Sequence, residues 1–237
     1  MKKILSLLNL LFEDLVNFFF PNLCAACEEH LVRGEDGLCM QCLLTMPVTG
    51  FEKDPENPVM KQFWGKVPIS SAMAYCHFSK GGKIQHLIHQ LKYEDRPDIG
   101  VKLGHLCGHQ LSKAQLFSNA HMVVPIPLHP KKLRVRGYNQ AASFGQGVAE
   151  VLGIPHYAHA LRRRRNTATQ TRKNRFERAG NVLNVFEPAD AKQLEGKRII
   201  LVDDVITTGS TLVAAAEALL EIPGVQVSIV TIAFARL

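Results

Sequence analysis

Arg198–Thr211 reads RIILVDDVITTGST. Ile199–Val202 is an unbroken apolar run of strand length. Two carboxylates, Asp203 and Asp204, follow it directly. After Val205 and Ile206 come Thr207, Thr208, Gly209, Ser210 and Thr211. The helical spacing and alanine cluster of Leu212–Glu221 make this small run the opening of a helix. A helix start offers free backbone N–H groups and the positive end of its dipole, which suits a phosphate. The hydroxyls add donors, and Gly209 lets the backbone approach an anion. Two carboxylates beside a phosphate would repel it. They make sense as acceptors for sugar hydroxyls, or acting through a divalent metal. A phosphorylated ribose satisfies both halves. An ordinary strand-to-helix turn with Ser/Thr caps explains Thr207–Thr211 but not the paired acids.

The 237 residues, 46% of them hydrophobic, suffice for one sizeable core and a small appendage. A net charge of +7 favours anionic partners, phosphates or nucleic acid, without choosing between them. No apolar run is long enough to span a bilayer. Of six cysteines, four fall in a metal pattern and two are scattered. A reducing cytoplasm is a simpler reading of that usage than a disulfide framework.

Residues 1–20 start with two lysines and are rich in Leu and Phe. Glu13 and Asp14 interrupt the apolar run, and no small-residue cleavage site precedes the cysteines. The segment therefore reads as an amphipathic helix rather than a signal peptide. It would pack on the protein or on a partner, with peripheral membrane contact the lesser alternative. Cys24, Cys27, Cys39 and Cys42 give C-x2-C-x11-C-x2-C, two knuckles able to close a tetrahedral site. Zinc is the favoured reading over buried or disulfide-bonded cysteines. Four thiolates leave no open position, so the zinc would be structural. Residues 21–50 are accordingly a zinc module. Residues 51–69, with Pro55 and Pro58, read as a linker, and 70–237 as the main domain.

In that domain, Ser70–Phe78, Val123–Ile126, Val182–Phe186, Ile199–Val202 and Val225–Phe234 read as strands. Lys83–Tyr93 has one apolar helical face, Ile84, Leu87, Ile88 and Leu91, and Ile99–Leu116 and Ala141–Leu152 are further helices. Strands alternating with helices imply a parallel sheet covered on both sides, with ligands at the carboxyl ends of its strands. Asp203, Asp204 and Pro127 all lie at such ends. Pro127–Gln140, PLHPKKLRVRGYNQ, reads as a basic loop after a strand, suited to a diphosphate. Leu161–Asn181 is the most basic stretch, with only Phe176 available for stacking. It is open to three readings: an anion-closing loop, a single-stranded DNA contact, or a solvated charged segment.

RIILVDDVITTGST resembles the phosphoribosyl-diphosphate (PRPP) binding motif of type I phosphoribosyltransferases. The whole chain resembles the ComF/GntX family, in which a cysteine module precedes a phosphoribosyltransferase-like domain. The resemblance implies an α/β fold, a type I phosphoribosyltransferase-like parallel sheet flanked by helices with a small N-terminal four-cysteine zinc module. It implies Asp203 and Asp204 as the catalytic pair at the ribose, and Thr207, Thr208, Gly209, Ser210 and Thr211 around the 5-phosphate. It puts Leu128, His129 and Arg136 at the diphosphate, since Arg136-Gly137-Tyr138-Asn139-Gln140 matches the family residue for residue. Leu161–Asn181 resembles the mobile loop that closes over PRPP, with Arg165, Thr169, Gln170, Arg172 and Arg178 aligned and Arg172 at the diphosphate. Lys92 resembles a family lysine facing the substrate. Magnesium accompanies PRPP, and zinc fills the cysteine site. Two functions follow from the resemblance. One is transfer of phosphoribose to a nitrogen nucleophile. The other is a non-catalytic ComF-type factor that binds single-stranded DNA during DNA uptake and natural transformation, its zinc module docking a DNA-processing partner.

Overall fold

The computed structural model describes residues 21–164 and 185–235. The expected helix over 1–20 and most of the basic stretch, including Arg172, lie outside them. The chain divides after Met46 into two units.

In the smaller unit, short isolated bridges pair Leu23 with His30 and Asp36 with Leu38. A single helical turn, α1 (Met40–Leu44), starts at Cys39, whose sulfur accepts from the Cys42 N–H. Among its described residues the unit buries Leu38, Met46 and two alanines besides Cys24, Cys39 and Cys42.

The larger unit opens with a 3-10 turn at Phe51–Lys53 and helix α2 (Pro58–Lys61). Residues 51–69 are therefore not a linker. Asn57 caps α2 through Val59 N and Met60 N and donates from Nδ2 to Ala72 O at 2.7 Å, while Val59 and Phe63 are wholly buried. Pro58 misleads when read as a breaker, because after an Asn cap it is a favoured first helical residue. Strand β1 (Ser71–His77) follows, then α3 (Lys83–Tyr93) and α4 (Pro97–Leu111). Strand β2 (Met122–Pro125) runs toward α5 (Pro130–Arg136), a short helix where a loop is expected, and α6 (Gln140–Leu152). Next come β3 (Leu161–Arg163) and its antiparallel partner β4 (Phe186–Pro188), and the turn α7 (Ala191–Leu194). Strand β5 (Arg198–Ile206), helix α8 (Ser210–Leu220) and strand β6 (Gln226–Phe234) complete the described chain.

The main sheet has the order β1-β6-β5-β2, all parallel. Leu201 stands beside Val124 on one side and Ile229 on the other. Both faces are covered, which explains why the strands are apolar throughout rather than alternating. One face shares a core with Phe63, Leu212, Ala215, Ala216 and Leu219. The other lies under α6, whose Gly145 sits against Val123 and Val202. Strand β5 is longer than its apolar run suggests, because Asp203 and Asp204 stay in register with β6, Asp203 opposite Thr231.

Helices α4 and α6 touch backbone to backbone. A Cβ on Gly104 would lie 2.2 Å from Phe144 O, and one on Gly147 would lie 2.2 Å from Val101 O. Backbone on both sides cannot yield. Gly147→Ala is therefore expected to destabilise the protein by about 3 kcal/mol in urea unfolding, at the upper end of ordinary overpacking. A change within about 0.5 kcal/mol would mean that the helices can separate freely.

Candidate functional site

At the carboxyl ends of β2 and β5 lies a cleft of about 390 Å³. Its lining brings together Asp203, Asp204 and Thr211 from the β5–α8 segment with Leu128, His129 and Arg136 from the segment after β2. Thr207, Thr208, Gly209 and Ser210 form the turn from β5 into α8. Gly209 has φ +75°, a left-handed conformation that costs glycine nothing, and Thr208 and Ser210 hydroxyls meet at 3.0 Å. Thr207 and Thr208 are exposed. Arg172 falls outside the described residues.

The acids are held by their own backbone. Asp203 Oδ1 accepts from the Asp204 N–H at 2.8 Å, and Asp204 Oδ1 from the Val205 N–H at 2.6 Å. Burial, and next the neighbouring Asp204 charge, push the Asp203 carboxyl up to about 7; the Asp204 N–H, Lys92 and Lys132 pull the other way. Lys92, at the end of α3, reaches across to Asp204 Oδ2 at 2.7 Å. Lys132, Arg163, Asn139 and Gln140 also line the cleft.

Several of these side chains could not be singled out by spacing. Lys92 carries only the family likeness, and Arg163 reads as one arginine in a basic run. In Arg136–Gln140 the structure separates two kinds of role. Tyr138 donates from its hydroxyl to Leu91 O, and Asn139 Nδ2 donates to Ile126 O at 2.9 Å while its Oδ1 caps α6 through Ala141 N. These two fasten α3, the end of β2 and α6 together. Arg136 donates to Gln140 Oε1 at 2.9 Å and lies 5.4 Å from the Tyr93 ring.

The acidic pair does not fit a cation bridged by both carboxylates. Each Oδ1 already accepts a backbone amide, and Asp204 Oδ2 holds an ammonium group. The cysteine cluster, in contrast, fits zinc. The sulfurs of Cys24, Cys27, Cys39 and Cys42 all lie within 4.8 Å of one another. Cys27 and Cys39 sulfurs are 3.8 Å apart, the sulfur spacing of a tetrahedron with Zn–S bonds of about 2.3 Å. Burial alone would raise the Cys24 thiol. The N–H groups of Cys39, Ala26 and Cys27 converging on its sulfur outweigh that and bring it down to about 7, favouring the thiolate that a metal needs.

The phosphoribosyl transferase domain family matches residues 139–236. Competence protein F of Haemophilus influenzae is 28% identical over 210 residues, covering 82% of this chain and 89% of that protein. DNA utilization protein YhgH of Salmonella typhimurium is 27% identical over 211 residues, covering 84% and 91%. Competence protein ComFC of Bacillus subtilis is 38% identical over 109 residues, covering 46% of this chain and 42% of that protein.

Two outcomes are expected. Cys39→Ser should lose zinc by elemental analysis and expose residues 21–46 to protease; full metal occupancy in that variant would refute the four-cysteine site. For Asp203, the folded state keeps a proton that the unfolded chain releases near pH 4. Wild type should therefore lose stability as pH rises from about 4 to 7, relative to Asp203→Asn, on the order of 2 kcal/mol after allowing for solvent access. Parallel urea midpoints for the two proteins across that window would contradict the raised carboxyl.

Proposed function

The chain belongs to the ComF family, and from that premise we propose that its larger unit binds PRPP or a related phosphoribosyl compound and transfers the phosphoribosyl group to a nitrogen nucleophile. The observation that carries this reading is the convergence of Asp203, Asp204, Thr211, Lys132, Arg136 and Arg163 on one cleft. A 5-phosphate sits on the Thr207–Thr211 turn, where hydroxyls and the N-terminal end of α8 offer donors. The ribose hydroxyls donate to the acidic pair. Lys132, Arg136 and Arg163 draw on the diphosphate. When the C1–O bond breaks, diphosphate leaves with the electron pair and the sugar acquires oxocarbenium character. The acidic pair beside it stabilises that positive charge, the nitrogen lone pair forms the new bond to C1, and a proton bound to that nitrogen then passes to solvent. Magnesium, where present, would screen the charge of the ligand's diphosphate, and no step depends on protein ligation of it.

A second reading has its own support. The relatives' names concern competence and DNA utilization, and the cleft carries more cationic than anionic side chains. On this reading the basic surface guides single-stranded DNA and the zinc module docks a DNA-processing partner. A deoxyribose lacks the 2-hydroxyl, which weakens the fit of DNA to the acidic pair itself. Four thiols gathered for a metal favour a reducing compartment, and the cytoplasm is the place proposed for either activity. Among the described residues no helix is long and apolar enough to cross a membrane.

Calorimetric titration of the zinc-loaded protein with PRPP tests the first reading. Micromolar binding is expected for wild type, with a loss of at least about tenfold in Asp203→Asn and single-stranded DNA binding spared. Equal PRPP affinity in the two proteins would remove the acidic pair from the site.

A further inference from the structure

The acidic pair carries its own cation. Lys92 Nζ stands 2.7 Å from Asp204 Oδ2, with the two side chains only 21% and 17% exposed. Ordering a lysine stem costs rotamer freedom. An exposed ion pair recovers little of that, but a partly buried carboxylate beside a second carboxylate makes a neutralising ammonium far more valuable. Lys132, Arg136 and Arg163 line the same cleft, so its cations outnumber Asp203 and Asp204. Such a cleft attracts phosphates and repels a free divalent ion. The one Asp204 oxygen not facing its own backbone is the one Lys92 holds.

We propose that Lys92 is the counter-ion that a divalent metal would otherwise supply at the acidic pair, so that the protein takes an anionic phosphoribosyl compound without requiring metal. The inference rests on the phosphoribosyl reading above. An ammonium has three N–H donors, and Asp204 Oδ2 engages one. The others remain for a ribose hydroxyl or a diphosphate oxygen. Lys92 thus bridges carboxylate and ligand, as a metal would, but as a tethered monovalent charge that repels the cationic side chains around it less than a divalent ion does. Because it belongs to α3, which Tyr138 ties to the Arg136 segment through Leu91 O, its position is set by the same packing that sets the diphosphate side of the cleft.

The test compares wild type, Lys92→Met and Lys92→Arg at equal zinc content and equal thermal midpoint. Each is titrated with PRPP in buffer freed of divalent ions by chelating resin, and again with magnesium. No chelator is added, so zinc stays on the cysteines. Wild type is expected to bind in the two buffers within about threefold. Lys92→Met should lose roughly thirtyfold in the metal-free buffer and recover when magnesium reaches the vacated Asp204, while Lys92→Arg keeps metal-free binding. Manganese alone, followed by paramagnetic resonance, should bind Lys92→Met and not wild type. Wild-type binding that appears only with magnesium overturns the inference and leaves the phosphoribosyl site standing. So does Lys92→Met binding PRPP like wild type without metal, or manganese held by wild type and released by Asp204→Asn. No PRPP binding by wild type in either buffer overturns the site and the inference together.

Discussion

Strand β5 runs Ile199 to Val202, none more than 1% exposed, straight into Asp203 and Asp204. Carboxylates at the end of a buried strand lose water, and that loss has to be compensated. Three compensations surround them. Backbone N–H groups of the next residues bond each Oδ1. Lys92 arrives from α3 to meet Asp204, and Asp203 keeps its proton up to about neutral pH. The cationic lining of the cleft follows the same logic, since the charge that tolerates the acids also attracts a phosphate.

This arrangement depends on elements far apart in the chain, and close helix packing brings them into place. Gly104 and Gly147 let α4 and α6 meet at backbone distance. Helix α6 then lies directly on β2 and β5, with Gly145 against Val123 and Val202. Asn139, capping α6 while holding the Ile126 carbonyl, transmits that packing to the segment that carries Arg136. A methyl group between the helices would therefore act on the cleft as well as on the core.

The cysteine unit solves a different problem. It gathers four sulfurs within 4.8 Å and directs backbone N–H groups at them. A metal held by those sulfurs would couple its binding to the folding of the unit.

Much of this is legible in the residues alone. The apolar strand before paired acids and a hydroxyl-rich helix start, the C-x2-C pairs, and the apolar face of Lys83–Tyr93 are local patterns whose physics is complete within a dozen residues. Reading 51–69 as a linker fails because its prolines look like breakers, whereas the capped turn that Asn57 and Pro58 build buries Phe63 in the core. The basic segment after β2 reads as a loop because α5 has no buried residue, and so no apolar stripe to announce it. Lys92 on Asp204, Arg163 in the cleft and Tyr138 on Leu91 O could come only from the tertiary structure. A sequence records which groups can ionise or donate. Which opposite charge each one meets depends on how strands and helices remote in the chain are packed, and only the folded backbone decides that.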